Sequence, residues 1–435
     1  MDNKFSSKLG FILTAVGSAV GMANIWGFPY KLADGGLVFL LIYIVFVILF
    51  SYVGVSAELA IGRLSKTGAL GSYEYSFNSR GKNKKISRYI GYMPLIGVFL
   101  LSIGYAVVVA YILKALVDSF TGTLLASDAN LWFDSFSTKS YSVVGYHIIV
   151  IILTLLTCYG GAKTLEKSNK IMIPAFFVLF LGLAIRVLTL PNALEGVKYM
   201  FRFDLSKLNI KTIITAMGQA FFSLSITGAN MVMMGSYLKD DVDLVGSAKE
   251  TALYDTVAGL VASAVIIPAL SVFKMDQVGG PGLLFVSLPT IMQNIKFGNI
   301  FSIILFMAVF FAGISSLQNM YEAVAESLTS RFPKIKRNRL LAIIGLLAIL
   351  AGVNMEDIAS FGPYMDIISI YVLPIIATIG AITWFYILKK DLLLSEINKA
   401  SRKKYGDGWY KLGKYIYVPL TIILTVLALA LQIAF

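Results

Sequence analysis

Small and polar residues interrupt the first long apolar segment of the chain, residues 9–30, at positions where they could bind a cation. Its centre, residues 17–24, reads GSAVGMAN. Glycine disfavours helix, so Gly17 and Gly21 beside Asn24 predict a break halfway across a membrane. Backbone groups freed there must be taken up by protein, water or a ligand. We interpret this stretch as half of an ion and substrate site. A close-packing face, which the spacing of the two glycines also fits, is the alternative.

A second apolar segment, residues 210–237, carries a similar interruption. Residues 221–230 read FFSLSITGAN, with serine, threonine, glycine and asparagine at the centre. The two segments are the first and the sixth along the chain, so each begins a set of five. Interrupted helices at matching places in two halves predict a transporter with inverted repeats and a binding site at mid-membrane depth.

Further polar groups lie inside other apolar segments. Asp255 is near the centre of the seventh, where a carboxylate is costly unless it is paired, and a monovalent cation would satisfy it. A neutral Asp255 bonded to a neighbouring helix is the alternative. Ser315 and Ser316 offer oxygens of the type that hard cations prefer, although serines in membrane helices often bond to their own backbone. Tyr105 combines an aromatic ring with a hydrogen-bond donor.

The elements that must position these groups are apolar segments that recur along the whole chain. We count eleven, at about residues 9–30, 37–62, 89–117, 142–160, 169–190, 210–237, 246–272, 298–328, 339–353, 360–388 and 413–434. They predict an all-α polytopic membrane protein with a single transporter domain over residues 1–435. Residues 9–190 would form the first repeat, residues 210–388 the second, and residues 413–434 an additional helix. The glycine- and proline-rich stretch at residues 276–289 predicts a re-entrant or lid element, with a short interfacial helix as the alternative.

Composition excludes several other classes of protein. The chain has 435 residues, of which 57% are hydrophobic and only 14% charged. Its formal net charge of +13 comes from lysines and arginines that cluster in alternate loops, which predicts a cytoplasmic N-terminus and an extracytoplasmic C-terminus in the plasma membrane. We therefore expect the lipid bilayer as a partner, and neither nucleic acid nor an obligatory protein partner. One cysteine and one histidine exclude an intrachain disulfide and a multi-histidine metal site. No arrangement of catalytic residues is present, so an enzyme is not expected.

Several motifs, in order along the chain, resemble those of the neurotransmitter:sodium symporter family. They are LGFIL at residues 9–13, GSAVGMANIWGFPY at 17–30, the Glu58-xxx-Gly62-Arg63 pattern, GQAFFSLS at 218–225, GPGLLFVSLP at 280–289 and AGISS at 312–316. The eleven segments are similar to the prokaryotic branch of that family. The resemblance implies the LeuT-type fold, with helices 1–5 and 6–10 as inverted repeats.

The resemblance also implies two sodium sites between the interrupted helices. The first would use Ala19, Asn24, Ser223 and Asp255 together with the substrate carboxylate. The second would use Gly17, Val20, Ala312, Ser315 and Ser316.

A substrate would lie beside these ions, according to the same resemblance. Its carboxylate would meet the backbone at residues 21–23 and the hydroxyl of Tyr105, and its amine would meet carbonyl groups of both interrupted helices. The residues expected to contact it are Ala19, Gly21, Met22, Ala23, Leu101, Tyr105, Phe222, Ser223, Ser225, Gly228, Ser316 and Met320.

Three positions refine the expected substrate and ions. Gly21 stands where amine-transporting relatives have aspartate, which favours a substrate with its own carboxylate, that is, an amino acid. Asp255 stands where chloride-dependent relatives have asparagine, and its fixed negative charge would make chloride unnecessary. Gly228 stands near the position of a pocket phenylalanine or methionine, which would leave room for a hydrophobic or aromatic side chain.

The expected gates depart from the family pattern. Gly27 replaces an arginine that would pair with Asp366 above the substrate, and Lys31, one helical turn later, is a candidate substitute. At the inner gate an expected acid is replaced by Ser330, so we expect Lys4 or Lys8 to pair with another acid such as Glu326. Together these features predict a sodium-coupled symporter that imports an amino acid by alternating access. The alternatives are a sodium- or proton-coupled carrier of another small amine or osmolyte, and an amino-acid sensor that does not transport.

Overall fold

A computed structural model describes residues 3–81, 84–276 and 279–433, and these residues form helices with no β-strand. In chain order the helices are α1 (Lys8–Ala19), α2 (Ala23–Ser65), α3 (Ala69–Asn78), α4 (Lys84–Thr121), α5 (Thr123–Ala126), α6 (Ala129–Ser137), α7 (Val144–Cys158), α8 (Ala162–Leu188), α9 (Ala193–Met200), α10 (Ile210–Ser223), α11 (Asn230–Ser236), α12 (Leu244–Val272), α13 (280–293), α14 (Gly298–Arg331), α15 (Arg337–Met355), α16 (Ile358–Ile387), α17 (Lys390–Asn398) and α18 (Asp407–Leu431).

Eight of the described helices are long and apolar enough to cross a membrane: α2, α4, α8, α12, α14, α15, α16 and α18. Helices α1 and α7 are apolar but shorter. The all-helical fold with many apolar spans is therefore confirmed. Helix length alone does not fix the predicted count of eleven, because the first and sixth segments are broken and the fourth is short.

Helix α2 contains the outer part of the first predicted segment and the whole of the second, and its backbone leaves helical geometry between them at Gly36 (φ 57°, ψ −147°). A positive φ of this kind suits glycine. The guanidinium of Arg202 braces the bend by donating to the carbonyl oxygens of Ala33 and Asp34 at 2.7 and 2.8 Å. The backbone N–H of Leu37 donates to the carbonyl of Arg202 at 3.0 Å. The outer part of the first segment thus turns directly into the second.

The interior of the molecule is built around α14, which packs against α1, α4, α7 and α8. Helix α10 packs on α2, and α12 packs on α1, α2 and α8. Small residues permit the close approaches: a Cβ on Gly313 of α14 would lie 2.9 Å from the side chain of Val109 in α4. The two broken segments, α1–α2 and α10–α11, lie among these helices.

Candidate functional site

The first break separates α1 from α2. Helix α1 ends at Ala19, Val20 is extended (ψ 111°), and α2 restarts at Ala23 with a π-helical turn. Asn24 bridges the break. Its side-chain Oδ1 accepts from the backbone N–H of Gly21 at 3.1 Å, and its backbone N–H donates to the carbonyl of Gly21 at 3.1 Å. A polar side chain within the membrane thus satisfies a freed backbone group.

The second break separates α10 from α11 and faces the first. Helix α10 ends at Ser223, and α11 begins at Asn230. Ser225 and Gly228, between them, have φ values of 53° and 71°. The hydroxyl of Ser225 donates to the carbonyl of Ser18 in α1 at 2.8 Å, which joins the two breaks directly. Both predicted interruptions are therefore present and lie side by side.

A buried carboxylate lies next to the two breaks. Asp255 in α12 is fully buried and accepts from the amide of Asn24 at 2.8 Å and from the hydroxyl of Ser223 at 2.7 and 2.8 Å. The hydroxyl of Tyr43 adds a bond of 3.3 Å. Among the described residues no lysine or arginine forms an ion pair with Asp255. The structure thus brings together three of the four residues predicted for the first sodium site, around a carboxylate with neutral partners.

Tyr43 was not predicted. It lies within an apolar helix and is fully buried. A single tyrosine in such a helix has no spacing that would distinguish a hydrogen-bonding role from packing.

The hydroxyl of Ser316 in α14 reaches the first break from the other side. It donates to the carbonyl oxygens of Val20 at 2.9 Å and Gly17 at 3.2 Å. Three residues predicted for the second sodium site therefore meet. Ser315, in contrast, donates to the carbonyl of Ala312 in its own helix at 2.9 Å, which is the alternative that the sequence left open.

Asn319, which was not predicted, lies one turn beyond these serines. Its amide donates to the carbonyl of Ser315 at 2.7 Å and to that of Thr14 at 3.4 Å. An asparagine inside an apolar helix is a signal that the sequence does contain, because such residues commonly join helices.

A cavity lies between the breaks, α4, α14 and α16. Ten of the twelve residues predicted to contact a substrate line it: Ala19, Gly21, Met22, Ala23, Leu101, Tyr105, Phe222, Ser225, Ser316 and Met320. The hydroxyl of Tyr105 accepts from the N–H of Met22 at 3.2 Å. A Cβ on Gly21 would lie 2.5 Å from that hydroxyl and 2.7 Å from that of Ser316, so only glycine fits this arrangement without displacing a neighbour.

Two predicted contact residues do not line this cavity. Ser223 turns towards Asp255. Gly228 faces Tyr73, whose hydroxyl would lie 2.5 Å from a Cβ at that position, and its N–H donates to the carboxylate of Glu58 at 2.8 Å. The room that glycine was expected to leave for a substrate is therefore occupied by Tyr73.

Other residues of the second break line the cavity in its place. They are Ile226, Thr227 and Asn230, joined on the far side by Ser369, Leu373 and Pro374 of α16 and Leu424 of α18. The irregular backbone after Ser225 follows neither a helical nor a strand period, so the sequence could not assign which of its side chains point inward.

A vestibule leads from this cavity to the face that carries Lys31. The two spaces share Met22, Ala23, Leu101, Tyr105, Phe222 and Ser369 in their walls. Lys31 and Asp366 both line the vestibule, but Lys31 donates to the side-chain oxygen of Gln219 at 2.7 Å instead of forming an ion pair with Asp366. Gln219 in turn donates to the carbonyl of Ala23 at 3.1 Å. The predicted gate residues thus flank one passage without touching.

The expected lid supplies part of the vestibule wall. Gly280 and Pro281, at the start of α13, line it. Residues 277 and 278 of the predicted lid lie outside the described residues.

The opposite face is closed by the N-terminal segment. Phe5 is buried against Phe11 and Tyr237, and its N–H donates to the carbonyl of Tyr237 at 3.2 Å. The hydroxyl groups of Ser6 and Ser7 donate to the carboxylate of Glu166 at 2.6 and 2.7 Å. These contacts hold the N-terminal segment over the face opposite the vestibule.

At the inner gate Lys8 pairs with another acid, as expected of Lys4 or Lys8, but that acid is not Glu326. Lys8 pairs with Glu250 in α12 at 2.7 Å. Glu326 instead accepts from the hydroxyl groups of Tyr237 and Ser330, both at 2.9 Å. The guanidinium of Arg337 lies 4.0 Å from Glu326 and places a positive charge near this acid.

Comparison with known proteins agrees with this architecture. The sequence matches the Sodium:neurotransmitter symporter family over residues 2–141 and 132–434. It is 32% identical to the uncharacterized sodium-dependent transporter YhdH of Bacillus subtilis, over 98% of this chain and 97% of that one. It is also 32% identical to the uncharacterized sodium-dependent transporter MJ1319 of Methanocaldococcus jannaschii, over 93% and 86%. The crystal structure of MhsT in complex with L-phenylalanine superposes with a TM-score of 0.86 at 31% identity, covering 98% of this chain and 99% of that one.

The chain therefore belongs to the sodium:neurotransmitter symporter family and has the LeuT-type fold. It is a multi-pass membrane transporter that depends on sodium, as its relatives are named. The predicted class of protein is confirmed at this level, and the relatives are transporters rather than enzymes.

Proposed function

We propose that this protein is a sodium-coupled symporter that imports an amino acid, with a hydrophobic or aromatic side chain, by alternating access. One observation carries the proposal: the carboxylate of Asp255 is buried beside the cavity with Asn24, Ser223 and Tyr43 as partners. A buried carboxylate held only by neutral donors is costly. A sodium ion at this position would supply the missing positive charge.

Two sodium ions flank the substrate in this proposal. The first is held by Asp255, Asn24, Ser223 and the carbonyl of Ala19. The second is held by the carbonyls of Gly17, Val20 and Ala312 and the hydroxyls of Ser315 and Ser316. Support comes from Ser316, whose hydroxyl already meets two of these carbonyls. The charge of Asp255 makes chloride unnecessary.

The substrate carboxylate would bind at Gly21 and Met22, where Tyr105 already contacts the backbone. Gly21 supplies no negative charge for a free amine, which favours an amino acid over an organic amine or an osmolyte. MhsT, the relative with a similar structure, binds L-phenylalanine. The mostly apolar wall of Leu101, Phe222 and Met320 suits a side chain of that kind.

Alternating access would operate between the two faces described above. In the proposed orientation the N-terminus is cytoplasmic and the C-terminus extracytoplasmic in the plasma membrane, so the vestibule opens outward. Lys31 and Asp366 would close over the bound substrate. Residues 9–190 and 210–388 would form the two inverted repeats that rearrange around the site.

Uptake into proteoliposomes tests the proposal. A mixture of labelled amino acids is offered with sodium or choline outside, at matched ionic strength. We expect accumulation with sodium only, and the same accumulation when gluconate replaces chloride. Equal uptake in sodium and choline contradicts the coupling, and uptake of amines or osmolytes in preference to amino acids contradicts the substrate class. Binding in sodium without any uptake identifies a sensor.

A further inference from the structure

The segment between Ser225 and α11 adds a polar patch to a largely apolar cavity. Thr227 and Asn230 line the cavity from this segment, and Ser18 lines it from α1. The three come from the two broken segments, which pack against each other through the bond between Ser225 and the carbonyl of Ser18.

Two of these side chains are buried without a hydrogen-bond partner. Asn230 is 2% exposed, and its Oδ1 has no partner among the described residues. Ser18 is 5% exposed, and its hydroxyl likewise has none among them. The backbone N–H of Asn230 donates to the hydroxyl of Thr227 at 3.1 Å, so it is the side-chain oxygen that lacks a partner. Buried polar groups are nearly always paired, so two unpaired groups on one cavity wall indicate a ligand group that pairs with them.

The remaining cavity wall determines what that ligand group is attached to. Leu101, Phe221, Phe222, Ile226 and Leu373 line the cavity as well. An apolar body would contact these side chains, and a polar tip would reach Asn230. Side chains that combine an apolar body with one polar tip are aromatic ones such as tyrosine and tryptophan.

A hydroxyl satisfies the patch better than an N–H does. The amide oxygen of Asn230 can only accept, whereas the hydroxyl of Ser18 can donate or accept. A phenol can donate to an amide oxygen and can also accept from a hydroxyl. If the amide of Asn230 is turned over, the phenol still pairs with it, because it can also accept. An indole N–H pairs with only one orientation.

We propose that the substrate is an aromatic amino acid whose ring carries a hydroxyl group, as in tyrosine, and that Asn230 is a specificity-determining residue that binds this hydroxyl. The inference rests on the proposed function. In this proposal the polar patch allows the protein to distinguish tyrosine from phenylalanine.

Competition measurements on the full chain in proteoliposomes test the assignment. Uptake of labelled tyrosine in sodium is inhibited with unlabelled tyrosine, phenylalanine, O-methyltyrosine and tryptophan. We expect tyrosine to inhibit at concentrations tenfold or more below those of phenylalanine, because one hydrogen bond to a buried polar group is worth about that factor. O-methyltyrosine cannot donate, so it should resemble phenylalanine or be weaker.

Two variants separate the role of Asn230 from a general effect on the site. Asn230→Leu should abolish the preference for tyrosine, so that tyrosine and phenylalanine inhibit at similar concentrations. Thr227→Val, which retains the shape of the segment, provides a second test if Asn230→Leu lowers the melting temperature. Thr227→Val should also weaken the preference, because Thr227 holds the backbone of Asn230.

The outcomes distinguish this inference from the proposed function. If phenylalanine and tyrosine compete equally, or if Asn230→Leu leaves the preference for tyrosine unchanged, the inference is overturned while sodium-coupled amino-acid uptake stands. In that case an ordered water satisfies Asn230 and Ser18. If no amino acid is taken up in sodium, the proposed function itself fails.

Discussion

The side-chain amide of Asn24 donates to the carboxylate of Asp255 at 2.8 Å and to its backbone carbonyl at 3.0 Å. Asn24 lies in the first turn of α2, which follows the first break, and Asp255 lies inside α12. The same asparagine accepts from the N–H of Gly21 through its other side-chain atom. Asn24 therefore connects the backbone of the first break to the buried carboxylate of Asp255, so a movement of one is transmitted to the other.

Removal of that charge should alter the ion requirement. We expect Asp255→Asn to abolish sodium-dependent uptake or to make uptake depend on chloride, because the fixed negative charge next to the cation is lost. The measurement is uptake in sodium chloride and in sodium gluconate. Asp134→Asn, at an exposed aspartate on α6, is the control. An Asp255→Asn protein that is active and indifferent to chloride would contradict the role of the carboxylate.

The two adjacent serines of α14 should differ in their effect on sodium binding. Ser316 already meets the carbonyls of Gly17 and Val20, whereas Ser315 is bonded within its own helix. We expect Ser316→Ala to raise the sodium concentration for half-maximal binding by tenfold or more, and Ser315→Ala to raise it less. Each removes one hydroxyl from the same helix, so each is the other's control. Equal effects would show that Ser315 leaves Ala312 when sodium binds.

Lys31 should matter for closure above the substrate. We expect Lys31→Met to reduce substrate affinity severalfold and Lys31→Arg to retain most of it, because only the first removes the positive charge that can meet Asp366. Equilibrium binding of labelled substrate in sodium is the measurement. Lys296→Met, at an exposed lysine outside the vestibule, controls for loss of surface charge. Unchanged substrate affinity in Lys31→Met would contradict a role for Lys31 in the gate.

Gly228 should be essential for stability at the second break. Its φ of 71° disfavours any side chain, and a Cβ would lie 2.5 Å from the hydroxyl of Tyr73. We expect Gly228→Ala to cost about 1–2 kcal/mol in folding free energy and to lower the melting temperature. Gly282→Ala, at a glycine with φ −58° and no atom within 4 Å of a Cβ, should be neutral. Equal melting temperatures would mean that the segment readjusts freely.

Contacts of the N-terminal segment with Glu166 should hold the inner face closed. We expect Glu166→Ala to increase exposure of α1, since Ser6 and Ser7 lose their acceptor. The measurement is the maleimide reaction rate of a cysteine introduced by Ala15→Cys, a buried position of α1. The only native cysteine, Cys158, is buried and should contribute little background. Glu195→Ala, at an exposed residue of α9, is the control. Slower labelling in Glu166→Ala would contradict the prediction.

Sequence reasoning located both helix breaks and the residues that meet there, because glycine and polar residues in apolar segments have a specific physical cost. That cost, or the family motifs, pointed to Asn24, Ser223, Asp255 and Ser316. The prediction failed at Gly228, because its neighbour Tyr73 comes from another helix and no periodicity predicts the direction of its backbone. It also missed Tyr43, because aromatic packing and hydrogen bonding look the same in a sequence.

The continuity of α2 and the isolation of α1 have a mechanical consequence. Residues 23–65 form one bent helix braced by Arg202, whereas the chain connects α1 to it through the unwound residues 20 and 21. Twelve helical residues make a lever of about 18 Å, so a rotation of about 10° at its pivot moves the far tip by about 3 Å. A small change in how the ions bind the unwound residues would thus become a larger displacement of the N-terminal end of α1.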